Sequence, residues 1–212
     1  MQTNLIRVLT RREIQQVVES LNRSAREYDQ TNLMIFRLSC QVGLRRKEMA
    51  GLSMRDVVPA GERPVVSIPA AITKADKRGK RHKRHVPLWW DDSTRAALAE
   101  WKKARFQDQA KPTDPFICMQ RGKHRGGRFN PKMLAKRWKS CLRILGEDRA
   151  QQLSIHTGRR SYVSHCLTAG RSLPEVAGAC GHNNINTTNQ YVHLIESGSV
   201  PDVFSFLSQI GD

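Results

Sequence analysis

Apolar residues recur three and four positions apart over most of the chain, the spacing of helices that bury one face. The first such segment starts with Thr10 and Glu13, which have the spacing of a capping box. Its apolar positions are Ile14, Val17, Val18 and Leu21. The same periodicity predicts helices over about residues 31–43 and 91–107, and from residue 131 onwards, where Pro131 suits the first helical position.

A strand pattern interrupts the helices between residues 57 and 88. Residues Val65–Ile68 are mostly β-branched, and residues 85–88 have the composition of a return strand. No internal repeat or low-complexity linker divides the 212 residues. The sequence therefore predicts one mainly α domain with a small antiparallel β-sheet (α+β), made of a core over residues 1–199 and a tail helix over residues 200–212.

Positive charge is the most unusual feature of the composition. The chain has 36 Lys and Arg against 19 Asp and Glu, a net charge of +17. Such an excess favours a polyanionic partner, with nucleic acid ahead of an anionic membrane. Seven of the twelve residues 73–84 are Lys or Arg, and they lie at the tip of the predicted hairpin. A charge run of this kind is also typical of an ordinary solvated loop.

The apolar segments and the cysteines indicate the compartment. No apolar run reaches the roughly 18 residues of a membrane-spanning helix, and the first ten residues lack the apolar region of a signal peptide. The five cysteines are odd in number, scattered and without C-x-x-C spacing, as expected of reduced thiols. We expect a cytoplasmic protein that does not contact membranes.

Candidate chemistry is concentrated between residues 154 and 193. His156 and Arg159 are three residues apart, so on a helix an imidazole and a guanidinium would share one face. Gly181 can end a helix just before His182. Tyr191 follows nine residues later and offers a phenolic oxygen that could act as a nucleophile.

Other chemistries find little support in the same stretch. Glu175 is its single carboxylate, whereas a two-metal nuclease needs clustered acids. Cys180 and His182 lack the spacing of a four-ligand zinc site. The chain has no G-x-x-x-x-G-K-[ST] motif for nucleotide hydrolysis. We therefore predict no metal and no cofactor.

The ordered pieces H-T-G-R, C-G-H and T-T-N-Q-Y-V-H resemble the catalytic domain of the tyrosine recombinases, the phage integrases and their relatives. Upstream, G-L-R-R-K-E-M-A-G-L places Arg45 at the family's first catalytic arginine and Glu48 in support, although such a pair also suits a plain surface helix. A T-K pair and a later V-P-L match the hairpin that carries the family's catalytic lysine. Because the loop between them is longer than is common, Lys74 is the first choice and Lys77 the second.

The resemblance implies a site-specific DNA recombinase or integrase that cuts and rejoins strands through a 3′-phosphotyrosine, without metal or ATP. Lys74 would act as the acid, His156 as the base or proton holder, and His182 as a transition-state donor. The implied catalytic residues are Arg45, Lys74, His156, Arg159, His182 and the nucleophile Tyr191. The implied DNA-binding residues are Lys77, Arg78, Lys80, Arg81, Lys83, Arg84, Arg121, Lys123 and Arg125. The implied partners are double-stranded DNA, one to three further copies of the chain, and accessory proteins, in a bacterial or phage-encoded system.

Two features depart from the family pattern. The family often has H-x-L-R-H where this chain has Gly158 and Arg160, and a helical glycine costs about 0.5–1 kcal/mol. The first helix starts near residue 10, so we expect a short form without an N-terminal DNA-clamping domain. The tail helix would exchange between copies or fold back on its own domain. Its apolar residues are Val203, Phe204, Leu207 and Ile210.

Two other functions fit part of the pattern. Residues 172–192 could form a helix-turn-helix in a non-enzymatic DNA-binding regulator, with Gly181 at the turn. A topoisomerase would share the tyrosine chemistry but lack site preference. Of the remaining candidates, we expect Tyr162 in the core or at its rim and His165 in a structural role.

Overall fold

Eight α-helices and a three-stranded sheet form the part of the chain described by this computed structural model, residues 8–24, 26–182 and 188. The helices are α1 (Arg11–Asn22), α2 (Glu27–Cys40), α3 (Arg46–Gly51), α4 (Asp92–Gln107), α5 (Pro131–Cys141), α6 (Glu147–Gln152), α7 (Ile155–Thr168) and α8 (Leu173–Cys180). The strands are β1 (Val57–Val58), β2 (Val65–Ile68) and β3 (Arg84–Pro87). The predicted fold class, mainly helical with a small antiparallel sheet, is confirmed.

Local capping explains where several helices begin. At α1, the Thr10 hydroxyl accepts from the Glu13 amide at 3.1 Å, and the Glu13 carboxylate accepts from the Thr10 amide at 2.7 Å. Asp91 caps α4, and Asn130 caps α5 with Pro131 at the first position. These starts agree with the sequence prediction. Helix α2 differs, because it begins at Glu27 and ends at Cys40 rather than covering residues 31–43.

Strand β2 lies between β1 and β3 and pairs antiparallel with both. In the β2–β3 pair, Val66 faces Val86 and Ile68 faces Arg84. The side chains of Val66, Ile68 and Val86 are fully buried, so the inner face of the sheet belongs to the core. The long basic loop over residues 73–83 connects these two strands.

Helix α2 is the centre of the core. All ten of its residues from 31 to 40 are buried, because α1, α5 and α7 pack around it. Phe36 of α2 stacks on Trp138 of α5 with ring centroids 6.2 Å apart. This arrangement fixes α7, which carries two of the candidate catalytic residues, against the most buried helix of the domain.

Gly158 lies where α7 approaches α2 closely. A Cβ atom at this position would be 2.0 Å from Ser39 Oγ and 3.0 Å from Cys40 Sγ. The leucine that is frequent here in the related motif would not fit unless the two helices separated. The glycine therefore determines how closely the first turns of α7 approach α2.

Two of the predicted features lie outside the described residues: the proposed nucleophile Tyr191 and the tail helix over residues 200–212. Within the described residues, no helix combines the length and the apolar character needed to cross a membrane.

We predict that Gly158→Ala lowers the free energy of unfolding by about 1–3 kcal/mol, because the added methyl group overpacks the α2–α7 contact. Urea denaturation followed by circular dichroism measures the change. Gly178→Ala is the matched control, since Gly178 is helical and exposed and a Cβ there has nothing within 4 Å. In that control, the free energy of unfolding should rise by up to about 1 kcal/mol, because alanine favours the helix more than glycine does. Equal stability of Gly158→Ala and the wild type would contradict this account of the packing.

Candidate active site

The C-terminal end of α8 presents backbone carbonyls that its own turns leave unpaired. Gly181 adopts a left-handed conformation with φ of 60°, and its amide donates to the Gly178 carbonyl at 2.9 Å. The His182 amide donates to the Ala177 carbonyl at 2.9 Å, which completes a Schellman-type end. The carbonyls of residues 179–181 therefore face outwards from the helix end, where its dipole favours cations.

Two of the predicted catalytic arginines meet at this helix end. Arg45, the N-cap residue of α3, donates from Nη1 to the Cys180 carbonyl at 3.4 Å and from Nη2 to the Gly181 carbonyl at 3.3 Å. Arg159 of α7 donates to the same Cys180 carbonyl and, at 2.7 Å, to the Gly43 carbonyl. The shared acceptor brings the two guanidinium groups together from distant parts of the sequence.

Glu48 is a fully buried carboxylate beside these arginines. Its Oε1 accepts from Arg45 Nη1 at 3.0 Å, while its Oε2 accepts from the Arg45 amide at 2.7 Å and from Arg84 Nη2 at 2.7 Å. Burial acts to raise the pKa of Glu48, but the charges of Arg84, Arg159 and Arg45 outweigh it and hold that pKa below its usual value. We call Arg45, Glu48, Arg84 and Arg159 the arginine cluster. With Glu48 ionised, it carries a net charge of +2, which favours an anion.

His182 lies beside the arginine cluster, half-buried, with Nδ1 2.7 Å from the Thr188 hydroxyl. Burial, followed by the charges of Arg159, Arg45 and Arg84, lowers the pKa of His182 to about 4. The ring is therefore neutral at pH 7. If the Thr188 hydroxyl donates to Nδ1, the hydrogen of the ring is on Nε2, which is then free to donate.

His156 is the second residue of α7 and its side chain is exposed. Partial desolvation and the charges of Arg46 and Arg160, with smaller effects of Arg159 and Arg45, lower its pKa below the usual value. A neutral imidazole in this position can accept a proton. The structure thus places both predicted histidines in the electrostatic field of the cluster.

The basic loop between β2 and β3 is on the surface. Its fold is fixed by Asp76, which accepts from the amides of Arg78 and Lys80 at 2.9 Å, and by Arg81, which donates to the Thr73 carbonyl. Lys74 is exposed there, and the described residues show no hydrogen bond or ion pair between it and the arginine cluster. The other exposed predicted DNA contacts are Lys77, Arg78, Lys80, Arg81, Lys83, Arg121, Lys123 and Arg125.

Arg84 is a correction to the sequence analysis, which grouped it with the exposed bases of the loop. Only 7% of its side chain is exposed, and the side chain pairs with Glu48 and with the Ala179 carbonyl. Strand alternation was the signal that could have found it, because Arg84 is two residues before the buried Val86 and so shares its face. Thr188 was also missed, and the sequence offers no comparable signal for it.

Two further side chains have the structural roles that we expected. Tyr162 is buried, its ring fills the space that a side chain at Gly43 would need, and it stacks on Trp90 with centroids 6.4 Å apart. Burial raises the pKa of Tyr162 well above its usual value, which makes it a poor nucleophile. His165 Nε2 is 2.8 Å from the Leu9 carbonyl and holds the start of α1 against α7.

Comparison with known proteins gives matches over nearly the whole chain. The model of the phage integrase family matches residues 7–197. Tyrosine recombinase XerC of Pseudomonas aeruginosa is 32% identical over 168 residues, which are 78% of this chain and 47% of that protein. Tyrosine recombinase XerD of Caulobacter vibrioides is 27% identical over 192 residues, 90% of this chain and 58% of that protein. The chain spans about half the length of the curated relatives it matches.

Two solved structures share the fold. The XerA recombinase superposes with a TM-score of 0.68 at 18% identity, over 97% of this chain and 63% of that one. The catalytic domain of bacteriophage HP1 integrase superposes with a TM-score of 0.53 at 19% identity, over 93% of this chain and 96% of that one. The likeness to the second extends over an isolated catalytic domain almost from end to end.

The electrostatics of the cluster predict the titration of His182. Its ring proton resonances, followed by NMR in the DNA-free protein, should titrate with a midpoint of about 4. Arg45→Met should raise that midpoint because it removes one nearby positive charge. Arg149→Met is the matched control, since Arg149 pairs with Glu13 outside the cluster, and it should leave the midpoint unchanged. A midpoint near the ordinary value of about 6.5 would contradict the site as described.

Proposed function

Because the chain belongs to the phage integrase family, we propose that it is a site-specific DNA recombinase that cuts and rejoins DNA strands through a covalent 3′-phosphotyrosine on Tyr191. The observation that carries the proposal is the arginine cluster, where Arg45 and Arg159 converge on the Cys180 carbonyl beside a neutral His182. A phosphodiester in the reaction develops charge on its non-bridging oxygens, and guanidinium groups bind such oxygens in pairs. Each such donor is worth about 100-fold or more in rate.

The covalent step conserves the energy of the phosphodiester bond. The Tyr191 oxygen attacks the phosphorus, the bond from phosphorus to the 5′ oxygen breaks, and the products are a 3′-phosphotyrosine and a 5′-hydroxyl. A 5′-hydroxyl of another strand then attacks the phosphotyrosine and restores Tyr191. Since the two bonds exchanged are nearly equal in energy, neither ATP nor a metal ion is needed.

Three side chains would transfer the protons and stabilise the charge on the phosphate. His156, exposed and with its pKa lowered, accepts the phenolic proton of Tyr191. Lys74, on the exposed start of the basic loop, protonates the leaving 5′ oxygen when the loop contacts DNA. His182, held by Thr188, donates from Nε2 to a non-bridging oxygen. Lys77 is the alternative acid, because it lies on the same exposed loop.

DNA would lie across the exposed basic loop and the second basic stretch around residues 121–125, with the arginine cluster between duplex and core. Recombination needs two sites, so we propose a homo-oligomer of two to four copies on double-stranded DNA, with the tail helix over residues 200–212 exchanged between copies. Accessory proteins are further partners. The setting that fits these partners is the cytoplasm of a bacterium, on cellular, phage or mobile-element DNA.

Replacement of the nucleophile gives the direct test. Tyr191→Phe should bind DNA as the wild type does, yet form no SDS-resistant adduct with a nicked duplex, because it lacks the attacking oxygen. The duplexes are selected for binding from a random-sequence pool, and the reaction contains EDTA. Tyr162→Phe is the control and should keep the adduct, since that hydroxyl is buried in the core.

Any of three results would contradict the proposal. An adduct that survives in Tyr191→Phe would place the nucleophile elsewhere. Wild-type cleavage that is lost in EDTA and restored by magnesium would indicate a metal-dependent nuclease. Specific binding without any adduct would instead favour the non-enzymatic DNA-binding regulator.

A further inference from the structure

Arg84 is buried and connects three parts of the proposed active site. It is the first residue of β3, directly after the basic loop. Its Nη2 donates to Glu48 Oε2 at 2.7 Å, and its Nη1 donates to the Ala179 carbonyl at the end of α8. One guanidinium therefore joins the sheet, the α3 carboxylate and the α8 terminus.

The hydrogen bonds around Glu48 show what this connection does. Arg84 occupies Oε2 from one side, while Arg45 bonds to both oxygens from the other. Arg45 is the more accessible partner, with 26% of its side chain exposed against 7% for Arg84. Thus Arg84 holds the Glu48 carboxylate from its buried side. The carboxylate in turn holds Arg45, the more exposed arginine, which can bind a phosphate.

Gly181 provides the space for this arrangement. A Cβ atom at Gly181 would lie 2.6 Å from Arg84 Cδ and 3.2 Å from Arg84 Nε. The left-handed turn that ends α8 therefore also admits the side chain of Arg84 beneath the helix end. The same turn exposes the Cys180 carbonyl that Arg45 and Arg159 share.

We propose that Arg84 is a positioning residue, which locks Glu48 and the α8 terminus in place so that Arg45 and Arg159 meet the scissile phosphate in a preset geometry. This inference rests on the proposed function and deepens it. An arginine is required because its planar fork reaches two acceptors in different directions, whereas a lysine offers one nitrogen. A displacement of about 1 Å in such a site can cost about 100-fold in rate.

The test separates chemistry from binding. At saturating nicked DNA, Arg84→Met should lower the rate of adduct formation about 100-fold and Arg84→Lys about 10-fold. DNA affinity should change little, because the exposed basic residues that are proposed to bind DNA are unchanged. Arg149→Met removes a partly buried arginine–glutamate pair of the same kind outside the cluster, so its folded fraction should react at the wild-type rate. If Arg84→Met does not fold, as judged by circular dichroism, Arg84→Lys carries the test.

Two readouts distinguish positioning from general stability. If Arg84 acts through Glu48, Arg84→Met combined with Glu48→Gln should be little slower than the slower single variant. In addition, the carboxyl carbon of Glu48, followed by NMR with labelled glutamate, should titrate at higher pH in Arg84→Met than in the wild type. It should not move in Arg149→Met.

Each other outcome has a defined meaning. Rate losses that multiply in the double variant would overturn the proposal, because Arg84 would then act by a separate route. An unmoved Glu48 titration would overturn it as well. If the wild type itself forms no adduct, the proposed function fails, while the Glu48 titration in the same samples still decides whether Arg84 holds the carboxylate.

Discussion

The buried carboxylate of Glu48, placed among three guanidinium groups, is the interaction on which the geometry of the site depends. Removing charges from water costs several kcal/mol for each ion, and the cost is recovered only where partners are well placed. Here Glu48 pairs directly with Arg45 and Arg84, and the carbonyls at the end of α8 accept further hydrogen bonds from all three arginines. The cluster keeps a net positive charge after all these contacts, so it favours anion binding without rearrangement of the arginines.

The whole fold contributes to this arrangement. The four members of the cluster come from the start of α3, from β3 and from α7. Their carbonyl acceptors lie at the C-terminal end of α8, except for that of Gly43, which accepts from Arg159. Helix α7 reaches its position because Gly158 lets it approach the buried C-terminal part of α2. The small sheet matters for a related reason, since it carries Arg84 inwards while the preceding loop stays on the surface.

The same charges set the protonation states of the histidines. Desolvation and the neighbouring arginines lower the pKa of both His156 and His182, so both rings are neutral at pH 7. Neutral rings suit a proton acceptor and a hydrogen-bond donor, the two roles proposed for them. A bound phosphate would offset part of the positive charge of the cluster. The protonation of both histidines therefore depends on the arginines and on the substrate phosphate together.

Much of this could be predicted from the sequence, because capping residues, strand composition and the spaced motifs are local signals. The capping box of Thr10 and Glu13 and the strand Val65–Ile68 are examples. Arg84 was misassigned because a charge run suggests a solvated loop, whereas the register of β3 decides which of its residues turns inwards. The need for a glycine at position 158 could not be predicted from the sequence, because it depends on contact with a helix more than 100 residues away along the chain. Tyr191 and the tail remain proposals.

In the proposed mechanism, Arg45 neutralises charge on the non-bridging oxygens of the scissile phosphate. Single-turnover cleavage of a substrate with a neutral methylphosphonate at that position tests this role. With the normal phosphate, the cleavage rate of Arg45→Ala should be lower than that of the wild type by about 100-fold or more. With the methylphosphonate, the loss should shrink to less than about 10-fold, because the charge that Arg45 neutralises is gone. An equal loss on both substrates would contradict the account.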